Sequence, residues 1–182
     1  MRRMSETETA NRLPTAEEEA RFWGLLEAAW ERLGPEPAAL RRALLTRDRA
    51  ADDDSVYAID GWLDPFLDQL GQLCADLSGP ELTDLDRVAE RKLYDIDRAD
   101  VHAVIDGSDD GFLYGRGHVV ALGREFYEAV RADPTWALPD GYLQGMGYFF
   151  DRLHQQRFGE SPRTDSGISR ESCMNPTGWA HQ

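Results

Sequence analysis

The chain has 182 residues, 41% of them hydrophobic, with 20 basic and 34 acidic side chains and a formal net charge of −14. At ~100–200 residues per domain that length makes one domain, and the charge excludes the clustered Lys/Arg footprint of direct nucleic-acid binding. No run reaches the ~18 apolar residues of a membrane span, the polar start gives no signal peptide, and Cys74 and Cys173 are too few for a disulfide framework, so a cytoplasmic protein is expected.

Residues 1–14 are polar and aperiodic and read as a mobile N-terminal tail ahead of a helical domain over 15–158. Thr15 and Glu18 have capping-box spacing. Phe22, Trp23, Leu26, Ala29, Trp30 and Leu33 then recur at helical intervals until Gly34-Pro35. A shorter helix is expected over Glu36–Arg47, and a charged loop from Asp48 to Ser55. Asp64-Pro65 reads as a cap followed by proline at the first helical position. Around it, Trp62, Leu63, Phe66, Leu67, Leu70, Leu73, Cys74 and Leu77 form the most regular stripe in the chain. Ser78-Gly79-Pro80 reads as its stop, and Thr83, with Asp86 three residues on, as the cap of the next helix. That helix carries one stripe through Leu85, Val88, Ala89, Leu93 and Ile96 and a second through Tyr94, Val101 and Ile105. Gly107-Ser108 interrupts the pattern, Asp109 caps a long helix reaching Arg131, and Asp133-Pro134 closes it. Pro139-Asp140 opens a last helix with Leu143, Met146, Phe149, Phe150 and Leu153 inward. Residues 159–182 read as a polar C-terminal tail. The expected fold is all-α, a single-domain bundle of about five or six helices with disordered termini.

Acidity concentrates in the middle of the chain, where residues 50–115 hold 17 acidic and 4 basic side chains. Such an excess makes a solvated face or steers a basic protein partner. Arg116 stands out against it. At ~100° per residue, Phe112 and Val120 flank it at about 40° on either side, which puts the guanidinium in the middle of an apolar stripe. A buried cation needs partners. Asp106, Asp109 and Asp110 are close in sequence, the preceding helix adds Asp95, Asp97 and Asp100, and a bidentate Arg–carboxylate pair is expected. Asp106, Asp109, Asp110 and Arg116 are therefore the candidate binding residues.

No catalytic set is identified. His102 and Asp106 have the spacing of two metal ligands, but His118 lies about 160° from Arg116, and no metal or other cofactor is expected. Cys74, on the main stripe, reads as an inert thiol. The glycines at 115 and 117 read as close helix packing, since no phosphate-loop context surrounds them.

Two stretches carry a family resemblance. Phe22-Trp23-Gly24-Leu25-Leu26 resembles the Phe-Trp-x-Leu-Ile opening of the bacterial family called domain of unknown function 4240. Gly107-Ser108-Asp109-Asp110-Gly111-Phe112, then Arg116, Gly123-Arg124-Glu125, Tyr127 and Asp133-Pro134, resembles that family's Gly-x-Ser-Asp-Asp-x-Phe…Gly-Arg-Glu block over a chain region of residues 20–160. Gly115 stands where the family has Phe and His118 where it has Trp, and Leu77–Arg98 is longer than the family's connection, which fits a divergent, actinobacterial branch. The resemblance implies a mostly helical intracellular protein and brings no activity, substrate or cofactor.

The expected function is that of a non-enzymatic acidic helical interaction module with a basic protein partner. The alternative is a small enzyme whose Asp109/Asp110/Arg116 pocket acts on an anionic small molecule, with an aspartate as general base. Trp30, Trp62 and Trp136 are the aromatics from which a homodimer face would be built.

Overall fold

In the computed structural model, which describes residues 11–51 and 53–180, every regular element is helical. Helix α1 (Ala16–Glu31) starts at the expected capping box: Thr15 Oγ1 accepts from the Glu18 N–H (3.1 Å) and Glu18 accepts from the Thr15 N–H (2.8 Å). Helix α2 (Pro35–Thr46) follows Gly34. A 3-10 segment, Asp54–Trp62, replaces the end of the expected charged loop and leads directly into α3 (Leu63–Cys74). Because the chain enters α3 already wound, Trp62 and not Asp64 holds the N-cap position. Leu63, Phe66, Leu70 and Cys74 face inward at the expected spacing, each large apolar side chain contributing about 1.5–3 kcal/mol on full burial.

Ser78-Gly79-Pro80 begins a helix where a stop is expected. Ser78 caps α4 (Gly79–Asp95) in a second capping box with Glu81, Pro80 sits in the first turn where its missing N–H costs nothing, and Thr83 lies inside the helix. The single helix expected through Ile105 is two. The chain turns at Ile96–Arg98, where Asp97 folds inward, and resumes as α5 (Ala99–Ile105). Likewise the expected long helix over 109–131 is divided at Gly123, whose φ of +98° lies in the left-handed region. It becomes α6 (Asp109–Ala121), capped by Ser108 instead of Asp109, and α7 (Arg124–Ala132). A Cβ on Gly123 would run into the Arg41 guanidinium and the Glu27 carboxylate. After a 3-10 turn at Pro134–Trp136, the expected last helix is also two pieces, α8 (Gln144–Gly147) and α9 (Phe149–Phe158), and Gly159 ends the second in the left-handed conformation.

The fold is thus all-α with more helices than the five or six expected, because Asp97, Gly123 and Tyr148 each interrupt a continuous apolar pattern. Helix α6 is central. It packs on α4, α5, α7 and α8, and from Gly115 to Ala121 every residue is buried. Gly115 lies against Ile105 and Gly117 against the Leu143 carbonyl and Met146, which is the close packing those glycines permit. Helix α1 bridges α3 and α4, with Trp30 stacked on Phe66 at 4.5 Å. Trp30 is only 1% exposed and cannot contribute to a dimer face.

The C-terminal segment differs from a disordered tail. From Gly159 to Ala180 it runs back across α4 and the first half of α6, with Ser166, Arg170 and Asn175 buried, and closes in α10 (Pro176–Trp179). Polar contacts hold it there, and these have no apolar periodicity to announce them. At the other end, residues 1–10 of the expected tail lie outside the described residues, as do 181 and 182. Arg12 pairs with Glu18 at 2.7 Å, and its backbone N–H donates to the Asp165 carbonyl.

Candidate functional site

Arg116 lies midway along α6 and is fully buried, as its place in the stripe predicts. Its Nη1 donates to the Leu93 carbonyl (2.8 Å) and its Nη2 to Ser172 Oγ (3.0 Å), which in turn donates to the Asp109 carbonyl (2.6 Å). The guanidinium lies over the Phe112 ring at 4.7 Å, and its Nε has no hydrogen-bond partner. Burial lowers its pKa to about 10, with Asp97 and Glu171 opposing that shift, so it remains charged at neutral pH.

The expected bidentate carboxylate partner is not there. Asp109 and Asp110 occupy the exposed first turn of α6, and Asp106, at φ +59°, ends α5 in solvent. None of the three forms an ion pair with Arg116. The reason is the C-terminus of α4. The last carbonyls of a helix lack intrahelical donors and carry the negative end of its dipole. Three consecutive ones are capped by side chains: Lys92 O by the Tyr127 hydroxyl (3.1 Å), Leu93 O by Arg116, and Tyr94 O by Asn175 Nδ2 (3.0 Å). A helix end does the work expected of a carboxylate.

Two residues beyond that end, the buried Asp97 carboxylate accepts from the backbone N–H groups of Cys173 (3.0 Å), Met174 (2.7 Å) and Asn175 (2.9 Å), and from the Trp179 indole (3.0 Å). This is a backbone nest of the kind that binds anions, filled by the protein's own side chain. Farther along α4, Arg170 forks onto Asp86 (2.9 and 2.7 Å) and donates to the Gly147 carbonyl. Glu90 accepts from Thr164 (2.8 Å) and Ser166 (2.5 Å). Burial works against the Arg170 charge, yet the Asp86 and Glu90 carboxylates outweigh it and hold its pKa above the usual guanidinium value.

Arg116 and Asp97, both singled out in the sequence, therefore lie in one buried polar layer. Asp106, Asp109 and Asp110 offer it only a backbone carbonyl. Asp86, Glu90, Arg170, Ser172 and Asn175 belong to the layer and escape the sequence reading, although Asp86 and Glu90, one turn apart on the inward side of α4, do carry a signal. The layer joins the C-terminal segment to the bundle. The Cys74 thiol is pushed up to about 11 by burial. His102 Nε2 donates to the Gly107 carbonyl (3.2 Å), while the buried His118 lies 3.4 Å from Asp60. Among the described residues, no group of three or more His, Cys, Asp or Glu is placed to hold a metal ion, and no helix is long and apolar enough to cross a membrane.

The family described as Protein of unknown function (DUF4240) matches residues 63–140. The match takes in the Gly107–Pro134 block and leaves the Phe22-Trp23 stretch outside it. No curated protein and no solved structure matches the chain.

Proposed function

We propose, for a chain whose residues 63–140 match the DUF4240 family, that it acts as a non-enzymatic interaction module whose acidic 3-10/α3 face docks a basic protein partner. The observation that carries this reading is how the acids of the middle third divide. Asp86, Glu90 and Asp97 are buried and occupied by the C-terminal segment. Asp53, Asp54, Asp60, Asp64 and Asp68 are exposed, and Asp60, Asp64 and Asp68 recur every four residues into α3. Of these five, only Asp60 lies within 4 Å of a cationisable group among the described residues, His118. A row of uncompensated carboxylates gives long-range attraction and orientation.

The enzyme reading at Asp109, Asp110 and Arg116 requires a guanidinium open to substrate. Arg116 is enclosed, which favours a structural role for it.

The test is binding of a fluorescent oligolysine peptide to the full chain. Affinity should fall as ionic strength rises, since screening acts over about 8–10 Å near physiological salt. Asp64→Asn/Asp68→Asn should weaken binding more than Glu17→Gln/Glu36→Gln, which removes the same charge from the exposed parts of α1 and α2. Equal effects of the two pairs would reduce the reading to net charge and overturn the docking face.

A further inference from the structure

A second place on the molecule has the make-up of a ligand site and takes no part in the acidic face. Between α1, α2 and the start of α7 lies a cavity of about 610 Å³, within the range of small-molecule sites. Its apolar lining comes from Trp23, Trp30, Leu44, Leu45, Leu122 and Phe126. The Trp30 indole is fixed by its N–H bond to the Ala121 carbonyl (2.7 Å) and by stacking on Phe66, so this wall is rigid. The two stretches of the family resemblance that the buried layer leaves unused, Trp23-Gly24 and Arg124-Glu125, meet here although they are a hundred positions apart in sequence.

Charge in the cavity is sorted by wall. Helix α1 contributes Glu27 and Glu31, one turn apart, and α2 contributes Arg41 and Arg42. At one end the walls already meet. Arg41 forks onto Glu27 (2.5 and 3.0 Å), donates through Nε to the Leu122 carbonyl (2.9 Å), and lies 5.1 Å over the Trp30 ring. Gly123 is what lets this pair sit against the backbone. Elsewhere the arrangement is left open. Glu31 and Arg42 line the same cavity, are exposed, and make no ion pair among the described residues; Arg124 and Glu125 repeat that pattern at the α7 start. A ligand with both charges and an apolar body would complete a second bridge between the walls and cover the partly exposed Leu45.

We propose that this cavity binds a free α-amino acid with a large apolar side chain, its carboxylate toward Arg42 and Arg124, its ammonium toward Glu31, and its side chain against Leu45. An α-amino acid carries its opposite charges on a single carbon, which suits walls that approach within ion-pair distance at Glu27–Arg41. A purely anionic ligand would face Glu31 and Glu125 uncompensated, and a purely cationic one Arg42 and Arg124.

The test uses the full-length, ¹⁵N-labelled protein and follows the Trp23 and Trp30 indole N–H resonances during titration with L-phenylalanine, 3-phenylpropionate and phenethylamine. Phenylalanine should shift both resonances saturably and bind more tightly than either single-charge analogue. Arg42→Gln should weaken phenylalanine and phenylpropionate about tenfold and spare phenethylamine, and Glu31→Gln should do the reverse for the two analogues. Both residues are exposed, and an unchanged melting temperature verifies the fold of each variant. The proposal is overturned if phenylalanine leaves the two indoles unmoved, if an analogue binds as well as the amino acid, or if neither variant changes affinity.

Discussion

At Arg116, a planar cation with two directed donors meets two acceptors fixed by different parts of the chain, the Leu93 carbonyl and Ser172 Oγ. An ammonium has the same charge but cannot span both acceptors while lying flat on Phe112. Arg116→Lys should therefore lower stability by about 2–4 kcal/mol, on the scale of losing a charge-assisted hydrogen bond with part of its desolvation left uncompensated. Denaturant unfolding monitored by far-UV circular dichroism measures this, and a variant as stable as the parent would contradict the capping role. The burial of Arg116 is legible in the sequence because Phe112 and Val120 bracket it on the helical wheel. Its partners are not. A carbonyl is present at every position and carries no residue identity, and Ser172 lies 56 positions away.

Among the elements, α4 shows how the same local signal can be read in either direction. Ser78-Gly79-Pro80 has the composition of a helix stop, yet Ser78 with Glu81 is also a capping box, and proline belongs in a first turn. The spacing to Glu81 decides it, and that residue has a second partner in Arg21 at 2.6 Å. Together the Arg21 guanidinium and the Ser78 hydroxyl and N–H hold the Glu81 carboxyl down at about 2, against an ordinary 4.5. A carboxylate whose folded pKa is depressed contributes stability above its unfolded value and loses it as pH falls toward the folded one. The α4 start should thus weaken between pH about 4.5 and about 2. Glu81→Gln keeps an acceptor for Ser78 and removes the titration, so its melting temperature should fall less than the parent's between pH about 5 and about 2. Parallel curves would show that Glu81 is not linked to folding. Helix positions were legible wherever apolar residues recur three or four apart, as in α1 and α3. The breaks at Asp97 and Gly123 were not, because a distant segment that pulls a side chain inward or crowds the backbone makes them.

For the molecule as a whole, the decisive contact is between its last residues and α4. Composition marks residues 159–182 as a tail, since an apolar stripe is the signal a sequence gives for docking. This segment docks by charge, through Arg170 on Asp86 and through the Asp97 nest, so its attachment is invisible to hydrophobic periodicity. Buried ion pairs have a characteristic energetic signature. Removing one partner strands the other and costs about 3–5 kcal/mol, whereas replacing both with apolar groups of similar volume is nearly neutral. Arg170→Met removes the cation that Asp86 and Glu90 share, and Asp86→Leu leaves the guanidinium with the Gly147 carbonyl and, as counter-ion, only the more distant Glu90, 3.7 Å away. Each single variant should lose stability on that scale, and trypsin should then cut within residues 160–180 before the bundle unfolds. The double variant should recover most of the loss and the resistance, because the apolar pair refills the space between α4 and the Gly147 turn. Losses that simply add in the double variant would mean that the pair acts through each residue's separate packing, and that the C-terminal segment is held by the Asp97 nest alone.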